Sequence, residues 1–262
     1  MHYLECSHTA TGGTDSMRLL LISASALILA ACSETTPAAP AAETPAPEAT
    51  ASTEAAPETT EAPVEYGAAG TYEIDPAHTS VTWKVDHFGL SSYTGRFKTV
   101  DATLQFNPED PSATSITATI DPLSVETDFP GDYKAGHADS GFDSWNEDLG
   151  RNANWLNADA FPQITFTSTS VTQDTPSTGK VTGDLTFLGV TKPVTLDVTY
   201  NGKANFPWAP EADKIGFSAT TTLKRSDFGN ATYAPNIGDE VEVIIETEFQ
   251  QVVAPAEPAP AE

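Results

Sequence analysis

The sequence predicts an all-β domain: an eight-stranded antiparallel up-and-down barrel with short helical turns, preceded by a disordered N-terminal tether. Three observations carry this expectation. Apolar and polar residues alternate with a period of two in run after run between residues 71 and 253, which sends the two kinds of side chain to opposite faces of a sheet. The runs are long and mostly closely connected, and sustained helical periodicity is missing, as in antiparallel barrels. Residues 33–70 are Ala, Pro, Thr and Glu with almost no large apolar side chain, a composition that cannot bury enough surface to offset its chain entropy.

The N-terminal region is read as residues 1–32, an upstream extension followed by a lipoprotein signal peptide. Met17-Arg18 opens a basic start, and Leu19 to Ala31 is an apolar run too short to span a bilayer comfortably. It ends in Leu29-Ala30-Ala31-Cys32-Ser33. Small residues before a cysteine resemble a bacterial lipobox, so Cys32 is the expected lipidation site. Cys6 falls in the removed part, which leaves no cysteine for a disulfide or thiolate chemistry in the folded domain. Residues 33–70 hold six prolines and seven glutamates without a Lys or Arg, so the expected tether is extended and self-repelling. The barrel domain is assigned to 71–253 and a second disordered segment to 254–262. The expected location is the cell envelope facing the periplasm, with Ser33 after Cys32 favouring the outer membrane.

The strands are expected near 79–88, 94–106, 115–125, 163–172, 178–187, 193–205, 214–224 and 240–251. On the first, Val81, Trp83, Val85 and His87 share a face opposite Lys84 and Asp86. The second changes phase between Phe97 and the set Val100, Ala102, Leu104 and Phe106, which calls for a bulge or bend near Thr99. Ile164 and Phe166 face inward on the fourth. Val181, Gly183, Leu185 and Phe187, a turn around 188–193, and Val194, Leu196, Val198 and Tyr200 form a hairpin with one apolar face. Ile215, Phe217, Ala219 and Leu223 continue the pattern, as do Val241, Val243, Ile245 and Phe249. Helical turns are expected only near Trp145 and around 152–158. The long connection from Asp128 to Arg151 exceeds what a compact domain needs and is expected to be a lid or functional loop. A sandwich is the alternative architecture; a membrane-spanning barrel would turn the apolar face outward.

Several segments together resemble the YceI-like family of bacterial polyisoprenoid-binding proteins. They are Tyr72-Glu73-Ile74-Asp75-Pro76-Ala77-His78-Thr79-Ser80-Val81, then His87-Phe88-Gly89 and Gly95-Arg96-Phe97, then Phe161-Pro162-Gln163-Ile164-Thr165-Phe166. Gly183 to Val194 and Lys224-Arg225-Ser226-Asp227-Phe228-Gly229 complete the series. The resemblance implies a lipocalin-like barrel that binds a long amphipathic lipid (polyisoprenoid, quinone-like or fatty-acyl) in its interior, without catalysis; the alternative is a structural or interaction module of the envelope that uses the barrel as a scaffold. The Asp128–Arg151 region departs from the family pattern, so no family residue is carried over there.

The ligand-wall candidates are Val81, Trp83, Val85, Phe97, Ile164, Phe166, Leu185, Phe187, Leu196, Val198, Phe217, Val243 and Ile245. His87 is either a core histidine or a head-group contact, and Arg225 either pairs with Asp227 or meets an anionic head. No cofactor is expected beyond the bound lipid, and no metal: His78, His87 and His137 lack ligand spacing. No nucleophile motif marks an enzyme. The formal net charge of −25, with 26 acidic and 11 basic residues between Thr71 and Val253, disfavours nucleic acid. The membrane is an expected partner through Cys32, and a homodimer is left open.

Overall fold

The structure, a computed structural model, describes residues 63–253. Its elements are β1 (Gly70–Ile74), β2 (Ser80–His87), β3 (Ser91–Phe97), β4 (Val100–Phe106), β5 (Ser115–Ile120), β6 (Val125–Glu126), α1 (Tyr133–His137), α2 (Trp145–Arg151), β7 (Ile164–Gln173), β8 (Thr178–Phe187), β9 (Val190–Phe206), β10 (Ala209–Lys224) and β11 (Ile237–Gln251). All pairings are antiparallel. β4, β5, β7, β8, β9, β10 and β11 follow one another, and β1 pairs with both β4 and β11 to close the ring. β2 continues β1 beside β11, β3 leads into β4, and β6 continues β5 beside β3. Eleven strands therefore make eight staves, as the alternation predicts.

Three staves are broken, each for a local reason. Between β1 and β2, Asp75 accepts from Ala77 N and caps the 3-10 turn Pro76–His78, with proline where an unpaired N–H would stand. Between β3 and β4, Lys98 N and Thr99 N both donate to Ser124 Oγ, and this is the phase change expected near Thr99. Between β5 and β6, Asp121 accepts from Leu123 N and caps Pro122–Ser124. The hairpin turn shrinks to Leu188-Gly189, both in the left-handed region at φ 49° and 73°. Lys192 and Pro193 belong to β9, which corrects the wider turn expected from the sequence. Residues 152–158 form the expected turns, while β1 and α1 are additions to the expected elements.

The tether boundary also moves. Residues 63–70 were expected to be disordered, yet Val64 and Tyr66 pack on the core and Gly67 is buried. Tyr66 Oη donates to Pro176 O at 2.5 Å, and Tyr200 Oη donates to Glu65 O at 3.1 Å. Ala68 N donates to Asp213 Oδ2 at 2.7 Å. Gly67 has no room for a side chain, because a Cβ would lie 2.7 Å from Ile215 Cγ2. These contacts lay a strap across one end of the barrel. Cys32, the signal peptide, residues 33–62 of the expected tether and the tail 254–262 lie outside the described residues.

The tight core sits at the strap end, where Tyr72, Ala102, Leu104, Tyr200, Ile215 and Phe249 cluster. Tyr72 and Phe249 are fully buried on the two strands that close the ring, at 0% and 2% exposure. Phe249→Ala is expected to lower the unfolding free energy by about 3–5 kcal/mol, measured by urea denaturation. A loss below ~1 kcal/mol would show that the closing ladder does not depend on this ring.

Candidate functional site

The ring encloses a cavity of about 860 Å³. Inward parity builds its wall, since side chains two residues apart on every stave share the lumen face. All fifteen ligand-site candidates of the barrel border it: Val81, Trp83, Val85 and His87 from β2, Phe97 from β3, Ile164 and Phe166 from β7, Leu185 and Phe187 from β8, Leu196 and Val198 from β9, Phe217 from β10, Val243 and Ile245 from β11, and Arg225 just beyond β10. Their apolar faces point inward, so the outward-facing arrangement of a membrane-spanning barrel is not the one adopted. No helix among the described residues is long and apolar enough to cross a membrane.

Glycines keep the lumen open by letting aromatic rings lie along the wall. Trp83 covers Gly95, its cross-strand partner, so closely that a Cβ there would sit 2.4 Å from Cζ2. Phe166 covers Gly183 in the same way, at 2.5 Å from Cζ. Rings spread flat over a neighbouring glycine leave the centre free, where rings projecting across the barrel would fill it.

At the end opposite the strap, the turns 88–90, 188–189 and 225–236 meet the segment holding α1 and α2. Asn230 Nδ2 donates to Asn154 O and Trp155 O at 3.2 and 3.1 Å, which ties that segment to the β10–β11 connection. Ser144 caps α2 by accepting from Glu147 N. Tyr133 stacks on His137 at 4.6 Å, and Trp145 meets both edge-on. Tyr133 Oη donates to Asp148 Oδ2 at 2.9 Å, and Asn152 Nδ2 donates to Asp148 Oδ1 at 2.7 Å. Tyr133, His137, Trp145, Asp148 and Asn152 border the lumen, so the long connection is part of the site. The sequence points to a lid or functional loop here and to a helical turn near Trp145, but to no wall residue in it, because five- and seven-residue helices carry too few turns to show which face is turned inward. Sequence reasoning also missed Tyr93, whose inward parity is hidden among Ser91, Ser92 and Thr94.

Arg225 differs from both expected roles. It is 7% exposed and pairs with neither Asp227 nor any other carboxylate within salt-bridge distance among the described residues. Nε donates to Gly238 O at 2.7 Å, Nη2 to Ile237 O at 2.7 Å and Nη1 to Asn230 Oδ1 at 2.9 Å. Burial pushes its pKa down from the usual guanidinium value. The side chain stitches the β10–β11 connection together through neutral acceptors. His87 borders the lumen beside Phe88 and Tyr93, with ring centroids 4.8 and 6.2 Å away.

Outside the lumen, Asp75, His78 and Glu248 come close enough to suggest cation ligands. Lys214 Nζ already stands between the carboxylates, 2.5 Å from Asp75 and 2.8 Å from Glu248. His78 Nδ1 lies 2.8 Å from Asp75 Oδ2. The hydrogen bond from Lys214 is the main cause that holds the Asp75 carboxyl far below its ordinary range. The trio is therefore an ion-pair network that pins the β1–β2 break to β10 and β11.

A closed barrel with an apolar lumen and a helical segment at one end places the protein among the barrels built around an internal cavity. The chain belongs to the YceI-like domain family, whose model matches residues 72–249. It is 37% identical over 185 residues to "Protein YceI" of Shigella flexneri and, to the same degree, of Escherichia coli O157:H7, covering 70% of this chain and 88% of each relative. Among solved structures, the YceI protein of Campylobacter jejuni is 29% identical with a TM-score of 0.52, covering 72% of this chain and 99% of that one. Burkholderia cenocepacia BcnA has the same fold at 23% identity and a TM-score of 0.55, over 67% and 98% of the two chains.

The lowered Asp75 pKa makes a pH prediction. A carboxylate with a depressed folded-state pKa contributes stability above its ordinary value near 3.8, and that stability drains away as pH falls toward the depressed value. Lys214→Met is expected to cost about 1–3 kcal/mol at pH 7. The cost should shrink progressively below about pH 4 as Asp75 protonates, as measured by urea denaturation across pH 2–7. A cost that stays constant with pH would mean that Lys214 stabilises by packing alone.

Proposed function

We propose that this protein binds a long-chain amphipathic lipid, of the polyisoprenoid, quinone-like or fatty-acyl kind, in the barrel lumen, and carries or sequesters it without chemical change. The single observation that supports this most is the cavity of about 860 Å³, most of whose lining is Val, Leu, Ile and aromatic side chains. Each methylene moved from water into such a wall contributes about 0.8 kcal/mol, so a long chain binds well through unspecific contacts. Chain shape is then read by the flat rings of Trp83 and Phe166. Membership in the YceI-like family agrees with a binding role. In this reading Cys32 carries the lipid anchor, the tether holds the barrel at an envelope membrane, and the α1–α2 segment covers the lumen.

Native mass spectrometry after purification is expected to find an apolar molecule bound to the barrel. Val243→Trp, which adds a ring to a side chain facing open volume, should lower its occupancy about tenfold or more, a change of ~1.4 kcal/mol, with far-UV circular dichroism retained. Undiminished occupancy in this variant would place the molecule outside the lumen and overturn the reading.

A further inference from the structure

Two hydrogen-bonding atoms within the lumen wall have no partner among the described residues: Trp83 Nε1 and Tyr93 Oη. They are neighbours. Trp83 and Tyr93 stack with ring centroids 6.1 Å apart, and both face inward on the paired strands β2 and β3. His87 completes the row, 6.2 Å from Tyr93. Thr127 approaches the Tyr93 hydroxyl without hydrogen-bond geometry, and its own hydroxyl donates to Asn146 Oδ1 at 3.1 Å. A buried donor without an acceptor is costly, and two side by side in an apolar lumen mark a place where an acceptor is missing.

The surroundings define that acceptor's charge. The cations bordering the lumen are Arg225 and Lys180. Arg225 is already held by three protein acceptors, and Lys180 is paired with Asp197. The nearby Asp148 carboxylate acts on Tyr93 and helps to raise its hydroxyl's pKa, after burial itself. A phosphate or carboxylate here would meet a negative charge and no free cation. An ester, amide, ketone or alcohol oxygen would meet two donors.

Neither donor atom is open to solvent, so an incoming oxygen must displace a side chain. Phe129 covers the Tyr93 ring from outside the lumen lining. It stacks on Tyr93 at 4.4 Å, is 41% exposed, and belongs to the connection between β6 and α1.

We infer that the lumen selects lipids with an uncharged oxygen acceptor in the head, that Trp83 Nε1 and Tyr93 Oη donate to this oxygen beside His87, and that Phe129 swings away to admit it. This inference rests on the lipid-binding reading above.

Three probes that share one C18 chain test it: methyl oleate, cis-9-octadecene and oleyl phosphate, each displacing the fluorophore N-phenyl-1-naphthylamine from the full chain after delipidation. Methyl oleate should bind about tenfold more tightly than the hydrocarbon, and oleyl phosphate no more tightly than the ester. Tyr93→Phe should cut the ester-to-hydrocarbon ratio to about twofold without lowering the thermal midpoint, because it removes an unpaired hydroxyl and keeps the ring. Trp83→Phe gives a second, independent reading of the same ratio, and Phe129→Ala should speed ester entry. An undiminished ratio in both ring variants, or a phosphate preferred about tenfold over the ester, overturns the head-group assignment. Failure of all three probes to displace the fluorophore overturns lipid binding itself, a different result from equal binding of all three.

Discussion

The ladder that closes the barrel is short. Tyr72, Glu73 and Ile74 face Gln251, Gln250 and Phe249 on one side, while Gly70 to Glu73 face Phe106 to Thr103 on the other. Every other feature depends on these few residues. A sheet with free edges exposes unpaired N–H and C=O groups and opens its apolar face to water; a closed one does neither. Closure explains why Tyr72 and Phe249 are the largest of the fully buried side chains and why burial pushes the Tyr72 hydroxyl pKa well above its usual value. Tyr72 Oη donates to Ala68 O at 2.8 Å, so the closing strand is also bonded to the strap beside it.

With the ring closed, the distribution of side-chain size decides what lies inside. At the strap end the rings of Tyr66, Phe106, Tyr200 and Phe217 meet at centroid distances of 5.3–6.2 Å. Farther along, glycine stands opposite tryptophan and close to phenylalanine, and the rings flatten. The buried cluster at the strap end is packed like a protein interior, and its inner face is also part of the cavity wall. The charged groups that remain near the lumen are satisfied by protein: Arg225 by carbonyls and Asn230, Asp148 by Tyr133 and Asn152.

Much of this was legible from alternation alone, because a period of two leaves one choice of face per strand and the family motifs settle which strands pair. Val81 to His87 and Leu185 to Val198 lie on the wall for that reason. The exceptions have physical causes. β1 is five residues long and ends at Asp75-Pro76, which reads as a turn before an alternation can establish itself. Residues 63–70 share the composition of the segment before them, and only Val64, Tyr66 and Gly67 distinguish them, through contacts more than a hundred residues away. Arg225 stands two residues from Asp227, yet the turn directs its guanidinium to carbonyls that a sequence pattern cannot display. Orphaned donors such as those of Trp83 and Tyr93 are invisible in sequence, since every residue type carries its donors whether or not the fold supplies an acceptor.

The strap has a mechanical consequence. Chain entering the domain from the N-terminal side reaches Glu65, Tyr66 and Ala68 before it reaches β1, and these residues are bonded in turn to Tyr200, Pro176 and Asp213. A pull arriving from that side meets those bonds before it meets β1. The β1 ladders, with β4 and β11 gripping it on both sides, are loaded only after the strap has given way. The strap therefore interposes a set of contacts outside the ring between the incoming chain and the seam that seals the lumen.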